Sequence, residues 1–592
     1  MADTSNAQTL NQTTLPLLIG VTGHRDILDE DKPDLKQKIR AIIDHLHEEY
    51  PRTPLMLVSA LADGADRLAA EAALDAGIEL VVPLPMSQEL YEQDFSPESV
   101  SQFRYLLAQA VFSLELPLEN GNSEAAAAEE ISRDLQYLAV GRFIVEQSQV
   151  LIALWDGATN GPSGGTSHVV RMQLYGADDS RQPGISLFNP VQTGVVYYVP
   201  TRRTNASNVS QDVDFIEKHR AERDAPAGVQ LLYPLTDDGK GIREDEHLRT
   251  LACIELFNGD SNDIYRLVPD FDDRRKEAAK YVIPIDQPPF TQADLSPSAR
   301  QLLHYFTHAD VLSQQFQKET YSVLLLLASL VPFIVFFGET YTNVTTAMFA
   351  ISGYLLFLGL AYGIYSITHR QGAPEKFLDY RALAEGMRVS LFWQLAGVSE
   401  NPASFYLSKQ QSELNWIRYA VKTWNLLAYR GCAETAAPCN LSAIREYWLE
   451  NQRDYFGKKA RWNKKEAEKL DTISTFLFRL GFFAVTPAML IIHGMKLGGD
   501  TLDPWMQVAT PLIFVISGAL KFYAERMLYA EQAKQYARMY GVFTKSLQLL
   551  DSGTYDKTCQ REIILAVGKE ALAENGDWVL MHRERPIEVP QG

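Results

Sequence analysis

Two hydrophobic patterns divide the chain. Up to about residue 200, short apolar runs end in loops rich in glycine, threonine and aspartate, and after Thr320 apolar runs of membrane length appear. Short apolar runs bounded by turn residues are typical of buried strands, whereas runs of about 20 apolar residues are typical of membrane-spanning helices. The pattern therefore predicts an α/β domain followed by an all-α membrane domain with cytoplasmic helical extensions.

In the first part, the apolar runs alternate with helical patterns. Strands that alternate with helices pair in parallel through right-handed crossovers. We therefore predict a Rossmann-like domain with a parallel sheet over residues 14–200, including a mostly helical insertion between Ser87 and Ser148. The predicted strands are residues 17–21, 55–58, 78–82, 150–155 and 194–200.

Three loops that follow these strands form a candidate nucleotide pocket, because ligands bind outside the carboxyl ends of parallel strands. Glycines permit close approach of a phosphate, and the free amides at a helix start favour an anion. The glycine spacing matches neither a P-loop nor GxGxxG, so a plain surface turn is the alternative. The candidate residues are Gly20, Thr22, Gly23, His24 and Arg25; Ser59, Asp63, Gly64, Asp66 and Arg67; and Asp156, Gly164, Gly165, Thr166 and Ser167.

Within this set, the charged side chains suggest different roles. Arg25 or Arg67 would pair with a phosphate, and Asp63 or Asp66 would accept a hydrogen bond from a ribose or cap the second helix. A surface ion pair between Asp66 and Arg67 is the alternative for those two residues.

Two further side chains have open interpretations. Tyr137 would either stack on a base or pack in the core. His168 would act either as a base or as a hydrogen-bonded structural residue.

The motifs VTGHRD, SALADGADRLAAEAA, and WDG followed by GPSGGTSHVV resemble the SLOG superfamily. This superfamily groups Rossmann-like sensor domains with DNA-processing protein A and the LOG phosphoribohydrolases. The resemblance implies a nucleotide-derived signal, either of the ADP-ribose type or a cyclic nucleotide. LOG enzymes follow their glycine-threonine loop with a glutamate used in N-glycosidic cleavage, but Ser167, His168, Val169 and Val170 follow Thr166 here. The missing acid favours a sensor over a hydrolase, and we predict no catalytic residue.

Composition narrows the class of partner. The net charge of −19 and the pI of about 5.1 give no electrostatic footprint for duplex nucleic acid. The four cysteines are scattered without metal-ligand spacing, which predicts reduced residues of a cytoplasmic protein and neither a metal nor another cofactor. Residues 201–298 form a polar accessory segment and linker to which the sequence assigns no chemistry.

Four apolar runs, at residues 321–337, 346–368, 472–492 and 505–520, predict two membrane hairpins in a domain spanning residues 299–592. Soluble core helices are the alternative for any single run. Residues 458–469 contain six Lys or Arg before the third run, while the turns at residues 338–345 and 494–504 contain none and one. By the positive-inside rule, the protein is a multi-pass protein of the inner membrane with both termini in the cytoplasm.

The membrane half resembles, by its architecture, the SLATT effector domains found beside SLOG sensors in bacterial defence. The resemblance implies an ion-leak channel or membrane-disrupting effector, gated by a nucleotide second messenger, in antiviral defence. Four spans are few for a pore, so we expect a homo-oligomer in the lipid bilayer. Arg479, within the third span, is the candidate pore or gating residue unless it reaches the headgroups. The alternatives are a membrane-tethered nucleotide hydrolase of the LOG type and a non-enzymatic scaffold with a degenerate pocket.

Overall fold

The computed structural model describes residues 13–119, 130–161, 164–176, 192–204, 211–236, 238–284, 290–406, 414–429, 440–495, 499–552 and 555–584. Contacts divide the chain into two compact units, which alternate along the sequence. The first unit contains residues 1–269, 295–305 and 400–437, and the second contains residues 270–294, 306–399 and 438–592.

The first unit is built on a seven-stranded sheet with the order β4-β3-β2-β1-β5-β6-β7. All neighbours pair in parallel except β6 and β7, which are antiparallel. The central strands β1, β2 and β5 are buried along almost their whole length, as expected when helices cover both faces of a parallel sheet. The predicted Rossmann-like α/β fold is confirmed. The strands are β1 (Leu17–Gly23), β2 (Leu55–Val58), β3 (Glu79–Leu84), β4 (Phe112–Glu115), β5 (Val150–Trp155), β6 (Val195–Pro200) and β7 (Gln230–Leu232).

Two of these strands were not predicted. β4 lies within the insertion that the sequence pattern predicts to be mostly helical, and it pairs with β3 at one edge of the sheet. Only Phe112 of its four residues is buried, so its apolar signal is short. β7 comes from the polar segment after residue 200 and has three residues. Edge strands as short as these carry little periodicity for sequence analysis to detect.

Helices surround the sheet where the alternation predicts them. Helix α1 begins at Lys32 with a proline in its first turn. Its apolar residues at helical spacing are all buried, namely Leu35, Ile39, Ile42, Ile43 and Leu46. The helices of the first unit are α1 (Lys32–Glu49), α2 (Ala65–Asp75), α3 (Gln88–Tyr91), α4 (Pro97–Leu107), α5 (Glu130–Gln147), α6 (Thr166–Tyr175), α7 (Val213–His219), α8 (Glu244–Asn262) and α9 (Ile264–Leu267).

The second unit is all-helical. Its helices are α10 (Phe271–Val282), α11 (Pro297–Asn343), α12 (Met348–Gln371), α13 (Ala373–Ala396), α15 (Leu441–Met495), α16 (Gly499–Arg526), α17 (Tyr529–Asp551) and α18 (Lys557–Arg583). The first residues of α11 belong to the first unit. Helix α14 (Asn415–Tyr429) also belongs to the first unit, although it lies between α13 and α15 in the sequence. α15 includes two π-helical segments, Ile444–Glu450 and Gly481–Val485. Single 3₁₀ turns occupy Asp29–Asp31, Glu92–Asp94, Gln292–Asp294 and Pro402–Ser404.

Within the described residues, four helical stretches are long and apolar enough to cross a membrane. They are Pro297–Asn343, Met348–Ala396, Leu441–Met495 and Leu502–Asp551. Three of them contain one predicted span each, and the second begins two residues after the start of the predicted span at residues 346–368. Large apolar side chains remain exposed along these stretches, including Phe349, Leu356 and Phe483, which are 60%, 66% and 73% exposed. A soluble protein rarely exposes such surfaces, whereas lipid covers them in a membrane. The predicted multi-pass arrangement is consistent with this structure.

Small residues hold the spanning helices together. A Cβ on Gly353 would lie 2.4 Å from the ring of Phe337, and one on Gly481 would lie 2.9 Å from Ile513. Ser474 and Ser517 exchange hydrogen bonds between the third and fourth spans, each hydroxyl donating to the carbonyl oxygen of the other residue at 3.0 and 2.8 Å. Close backbone approach through glycine and serine is how helices associate in lipid, where apolar burial gives little driving force.

α14 lies in the second half of the sequence yet packs with the sheet. β1 pairs with β5 only from Ile19 onward, and the amide of Leu18 donates to the hydroxyl of Tyr419 at 2.6 Å. The same hydroxyl donates to the carbonyl oxygen of Pro16 at 3.0 Å. Further along α14, the ring of Trp424 stacks on Tyr305 at 4.6 Å.

Replacing Tyr419 with phenylalanine removes both bonds and leaves a buried amide without an acceptor. An unsatisfied buried donor costs about 1–3 kcal/mol, so we expect Tyr419→Phe to lower the thermal midpoint of the full-length protein by several degrees. Tyr429→Phe, at the exposed end of the same helix, is the control and should leave the midpoint unchanged. Equal midpoints for both variants, measured by intrinsic fluorescence in detergent, would contradict the assigned role of Tyr419.

Candidate functional site

A cavity opens where the sheet changes direction. From β1 the strand order proceeds to β4 on one side, and from β5 it proceeds to β7 on the other. Because consecutive crossovers leave this point in opposite directions, the carboxyl ends of β1 and β5 are not covered by a helix. The strands are in register through Gly23 and Leu154, so the loops after both strands begin side by side. The cavity between them has a volume of about 450 Å³.

The two loops are joined by hydrogen bonds around His24. The amide of His24 donates to the carbonyl oxygen of Leu154 at 3.2 Å, and the amide of Asp156 donates to Nε2 of His24 at 3.1 Å. Burial lowers the pKa of His24, and the nearby Arg203 lowers it further, although Asp156 opposes both effects. The ring is therefore neutral at pH 7, and Nε2 accepts the amide proton.

Arg203 compensates the negative charges of Asp26 and Asp156, which lie beside His24. Its Nε donates to Asp26 at 2.9 Å, and its terminal nitrogen lies 3.5 Å from Asp156. Hydrogen bonds from Arg203 lower the pKa of Asp26, so this carboxylate is ionised. Arg203, Asp26 and Asp156 all line the cavity.

The start of α6 forms the opposite wall. Gly164, Gly165, Thr166 and Ser167 line the cavity, and Gly165 is the N-cap residue. Gly164 has a φ of +78°, a conformation that L side chains rarely adopt. The first-turn amides of a helix have no acceptor within the helix, and the positive end of its dipole favours an anion. The geometry is suited to a phosphate or a carboxylate.

Arg25 lies at the third side of the cavity. Its guanidinium lies 5.1 Å from the centre of the Tyr137 ring, a cation–π arrangement that positions the charge. The hydroxyl of Tyr137 donates to Asp94, which also forms an ion pair with Arg133 at 2.8 Å. Tyr137 is therefore held by its hydroxyl, and its ring lines the cavity beside Arg25.

Asp66 contributes a buried carboxyl group from the first turn of α2. Burial raises its pKa to about 7, although the Ala62 amide, Arg25 and Arg67 stabilise the charged form. At neutral pH this cavity-lining group therefore exchanges between its two protonation states.

Ten of the fifteen predicted residues line the cavity, so the structure brings together residues from all three loops. They are Thr22, Gly23, His24, Arg25, Asp66, Asp156, Gly164, Gly165, Thr166 and Ser167.

The other five predicted residues lie behind this lining. Gly20 is inside β1, where a Cβ would lie 2.8 Å from Ile144. The hydroxyl of Ser59 accepts from the amide of Leu61. A Cβ on Gly64 would lie 2.5 Å from the carbonyl oxygen of Arg25, so this glycine allows the first and second loops to touch.

The remaining two, Asp63 and Arg67, form an ion pair at 2.7 Å. Arg67 is 2% exposed and also donates to the carbonyl oxygen of Ser99 at 2.9 Å. It therefore anchors the second loop to α4, and of the two predicted arginines Arg25 is the one that lines the cavity.

Sequence analysis did not identify Asp26, Asp134, Asn160 and Arg203 as lining residues. Asp26 directly follows the VTGHR segment, so its position in the sequence could have indicated that it belongs to the site. Arg203 could not be identified in this way, because it follows β6 and lies near the site only because β6 is next to β5 in the sheet. His168, the possible base, accepts from the amide of Gly164 at 3.2 Å, and burial lowers its pKa.

Elsewhere, Arg479 lies on an exposed face of α15, within the third predicted span. Among the residues that the structure describes, no group of three His, Cys, Asp or Glu side chains is placed to hold a metal ion.

Comparison with known proteins gives little further information. No protein-family model matches the chain, and no curated protein matches it. Among solved structures, the chain is similar to DNA processing protein A from Helicobacter pylori, described for its single-stranded DNA binding mode. The two are 19% identical, the match covers 36% of this chain and 74% of that chain, and the TM-score is 0.22. The fold assignment rests on the observed strand order.

The raised pKa of Asp66 has a measurable effect on stability. The folded state keeps the Asp66 proton up to about pH 7, whereas an unfolded aspartate loses it near pH 4. Stability therefore falls as pH rises between these values, by at most about 4 kcal/mol at about 1.4 kcal/mol per pKa unit. Asp66→Asn keeps an acceptor for the Ala62 amide and removes this loss.

We therefore expect Asp66→Asn to raise the thermal midpoint over wild type more at pH 8 than at pH 5. Asp75→Asn, at the exposed end of the same helix, should give the same small difference at both pH values. A pH-independent effect of Asp66→Asn would show that Asp66 is ionised in the folded protein throughout this range.

Proposed function

We propose that the chain is a nucleotide-responsive membrane effector, whose switch-point cavity binds a nucleotide signal and whose four spanning helices form an ion-leak path. The observation that carries the proposal is the glycine-lined start of α6, which faces the cavity between β1 and β5. A cavity of about 450 Å³ is within the range of small-molecule sites and suits a nucleotide.

The charges at the cavity match the parts of such a ligand. The amides of α6 and the guanidinium of Arg25 would hold a phosphate. Asp156 and the exposed Asp134 would accept hydrogen bonds from ribose hydroxyls. The ring of Tyr137 offers an apolar face for a base. A ligand of the ADP-ribose type or a cyclic nucleotide carries all three parts.

The effector role is supported by the membrane helices. α11 begins among residues of the first unit and continues as the first span, so it provides a continuous helix through which binding could be transmitted. We propose that subunits assemble as a homo-oligomer in the inner membrane, with both termini in the cytoplasm. Antiviral defence, suggested by the SLOG and SLATT resemblance, is the proposed setting.

A specific observation favours a second candidate, a membrane-tethered nucleotide hydrolase. Asp66 lines the cavity, and its pKa of about 7 is suited to a general acid or base. Hydrolysis would release a free base from a nucleoside monophosphate or from NAD. If Asp66→Asn abolishes such release, the hydrolase candidate replaces the sensor.

The first test is nucleotide binding by Gly165→Asp. Aspartate is a favourable N-cap residue, so the variant should keep α6 folded and the thermal midpoint unchanged. Its carboxylate would occupy the first-turn amides and repel a phosphate, so we expect ADP-ribose or cyclic AMP to bind at least tenfold more weakly by isothermal titration. Gly165→Asn, which caps the helix without charge, should weaken binding less. If neither nucleotide binds the wild-type protein, these ligands are excluded.

The second test is ion flux through vesicles that contain the purified full-length protein. We expect nucleotide added to both sides to change the leak rate for wild type but not for Gly165→Asp. If Arg479 lines the path, Arg479→Gln should shift the preference from anions toward cations. Absence of flux under every nucleotide condition, together with nucleotide turnover, would contradict the effector proposal.

A further inference from the structure

The second unit contains a separate cavity, to which the proposed nucleotide site assigns no role. It has a volume of about 610 Å³ and lies among the cytoplasmic extensions of the spanning helices. α11 contributes to it before the first span, α13 after the second, α15 before the third and α17 after the fourth, and α10 and α18 complete the walls. A ligand bound there would touch the extensions of all four spans.

Two arginines in the cavity wall already have acidic partners. Glu385 lies 2.8 Å from both Arg381 and Arg388, and Arg381 lies 3.5 Å from Asp310. These two cations and two anions compensate each other, which is how charges persist in a protein interior. Arg274, Lys459 and Glu277 also line the cavity, so its lining contains four basic and four acidic side chains when Glu574 is included.

Glu574 on α18 differs from this group. Within the described residues, its Oε1 is buried without a hydrogen-bond partner. Burial and the neighbouring charge of Glu385 raise its pKa to about 8, against the attraction of Arg381 and Arg538. Asp577 adds to the repulsion, and Tyr455 and Tyr536 face the same carboxyl group. A buried carboxyl oxygen without a hydrogen-bond partner is costly unless a ligand supplies one.

Aromatic rings share the cavity lining with this acid. The ring of Tyr536 lies 6.4 Å from that of Tyr455 and 5.5 Å from that of Phe456, and the ring of Trp578 lies 5.6 Å from that of Phe377. All five line the cavity. Aromatic faces attract cations, and a carboxylate beside several rings is the usual arrangement for recognising an ammonium group.

We propose that this cavity binds an organic amine, with its ammonium group beside Glu574 and its apolar body against the aromatic walls. The buried N–H groups at Nε of Arg388 and Nε1 of Trp578, which have no acceptor within the described residues, suit a hydroxyl or ether oxygen on the same ligand. The site is independent of the nucleotide cavity.

Binding of an ammonium group requires Glu574 to be ionised. Because the empty site holds its proton at pH 7, the amine must displace that proton. Close to one proton per site should therefore be released when an amine binds at pH 7. A purely apolar ligand would release none.

The test uses three probes of the same shape on the full-length protein in detergent: 2-phenylethylamine, 2-phenylethanol and phenylacetate. We expect the amine to bind at least tenfold more tightly than the alcohol or the acid by isothermal titration. Titration at pH 7 in two buffers of different ionisation enthalpy measures the proton release. Gly165→Asp should bind the amine as wild type does, which separates this result from the nucleotide proposal.

Glu574→Gln should weaken amine binding at least tenfold, abolish proton release and leave binding of the alcohol unchanged, which shows that the cavity remains folded. Glu570→Gln is the matched control, because Glu570 lies one turn earlier on the same helix, is exposed and pairs with Arg538. Its amine binding should equal that of wild type. Tighter binding of phenylacetate, equal binding of amine and alcohol, or no binding of any probe would overturn the proposal.

Discussion

The parallel pairing of β1 with β5 is the constraint on which the cavity of the first unit depends. The two strands are in register from Ile19 and Val150 to Gly23 and Leu154, and their neighbours then continue in opposite directions. Their carboxyl ends are consequently not covered by a helix, and the loops that follow form hydrogen bonds with each other. His24 supplies the link by accepting the amide of Asp156 with a neutral ring.

The balance of charge in this cavity restricts the ligand class. Arg25 and the start of α6 favour negative charge, but Asp26, Asp134, Asp156 and Arg203 share the same lining. A compact, highly charged anion such as triphosphate would meet the carboxylates as well as the amides. A ligand with one or two phosphates and free hydroxyl groups can place its phosphates at the start of α6 and donate hydrogen bonds from its hydroxyl groups to the aspartates. For the proposed signal, this lining therefore suits a nucleotide that carries ribose better than an inorganic anion.

Sequence analysis recovered the parts of the fold that local patterns determine. The buried strands, α1 and the four spanning runs follow from apolar periodicity, and the loop residues that reach the cavity follow from parallel topology. The pattern could not assign Arg67, because a charged residue that is 2% exposed looks like a surface residue until Ser99 and Asp63 are placed beside it. Tyr419 gave no signal either, because its partners lie about 400 residues earlier, and long-range hydrogen bonds leave no local periodicity.

The same thermodynamic condition applies to a ligand in either cavity. A ligand can shift a conformational equilibrium only by the difference between its affinities for the two states. If a ligand opens the spans, as we propose, it must therefore bind groups whose arrangement changes when the helices move. The lining of the second cavity meets this condition directly, because Asp310, Arg381, Tyr455 and Tyr536 lie on the extensions of four different spans. Movement of one span relative to the others would change the distance between Arg381 and Asp310 or the positions of the rings in this lining, so a ligand bound there would be coupled to the packing of the helices.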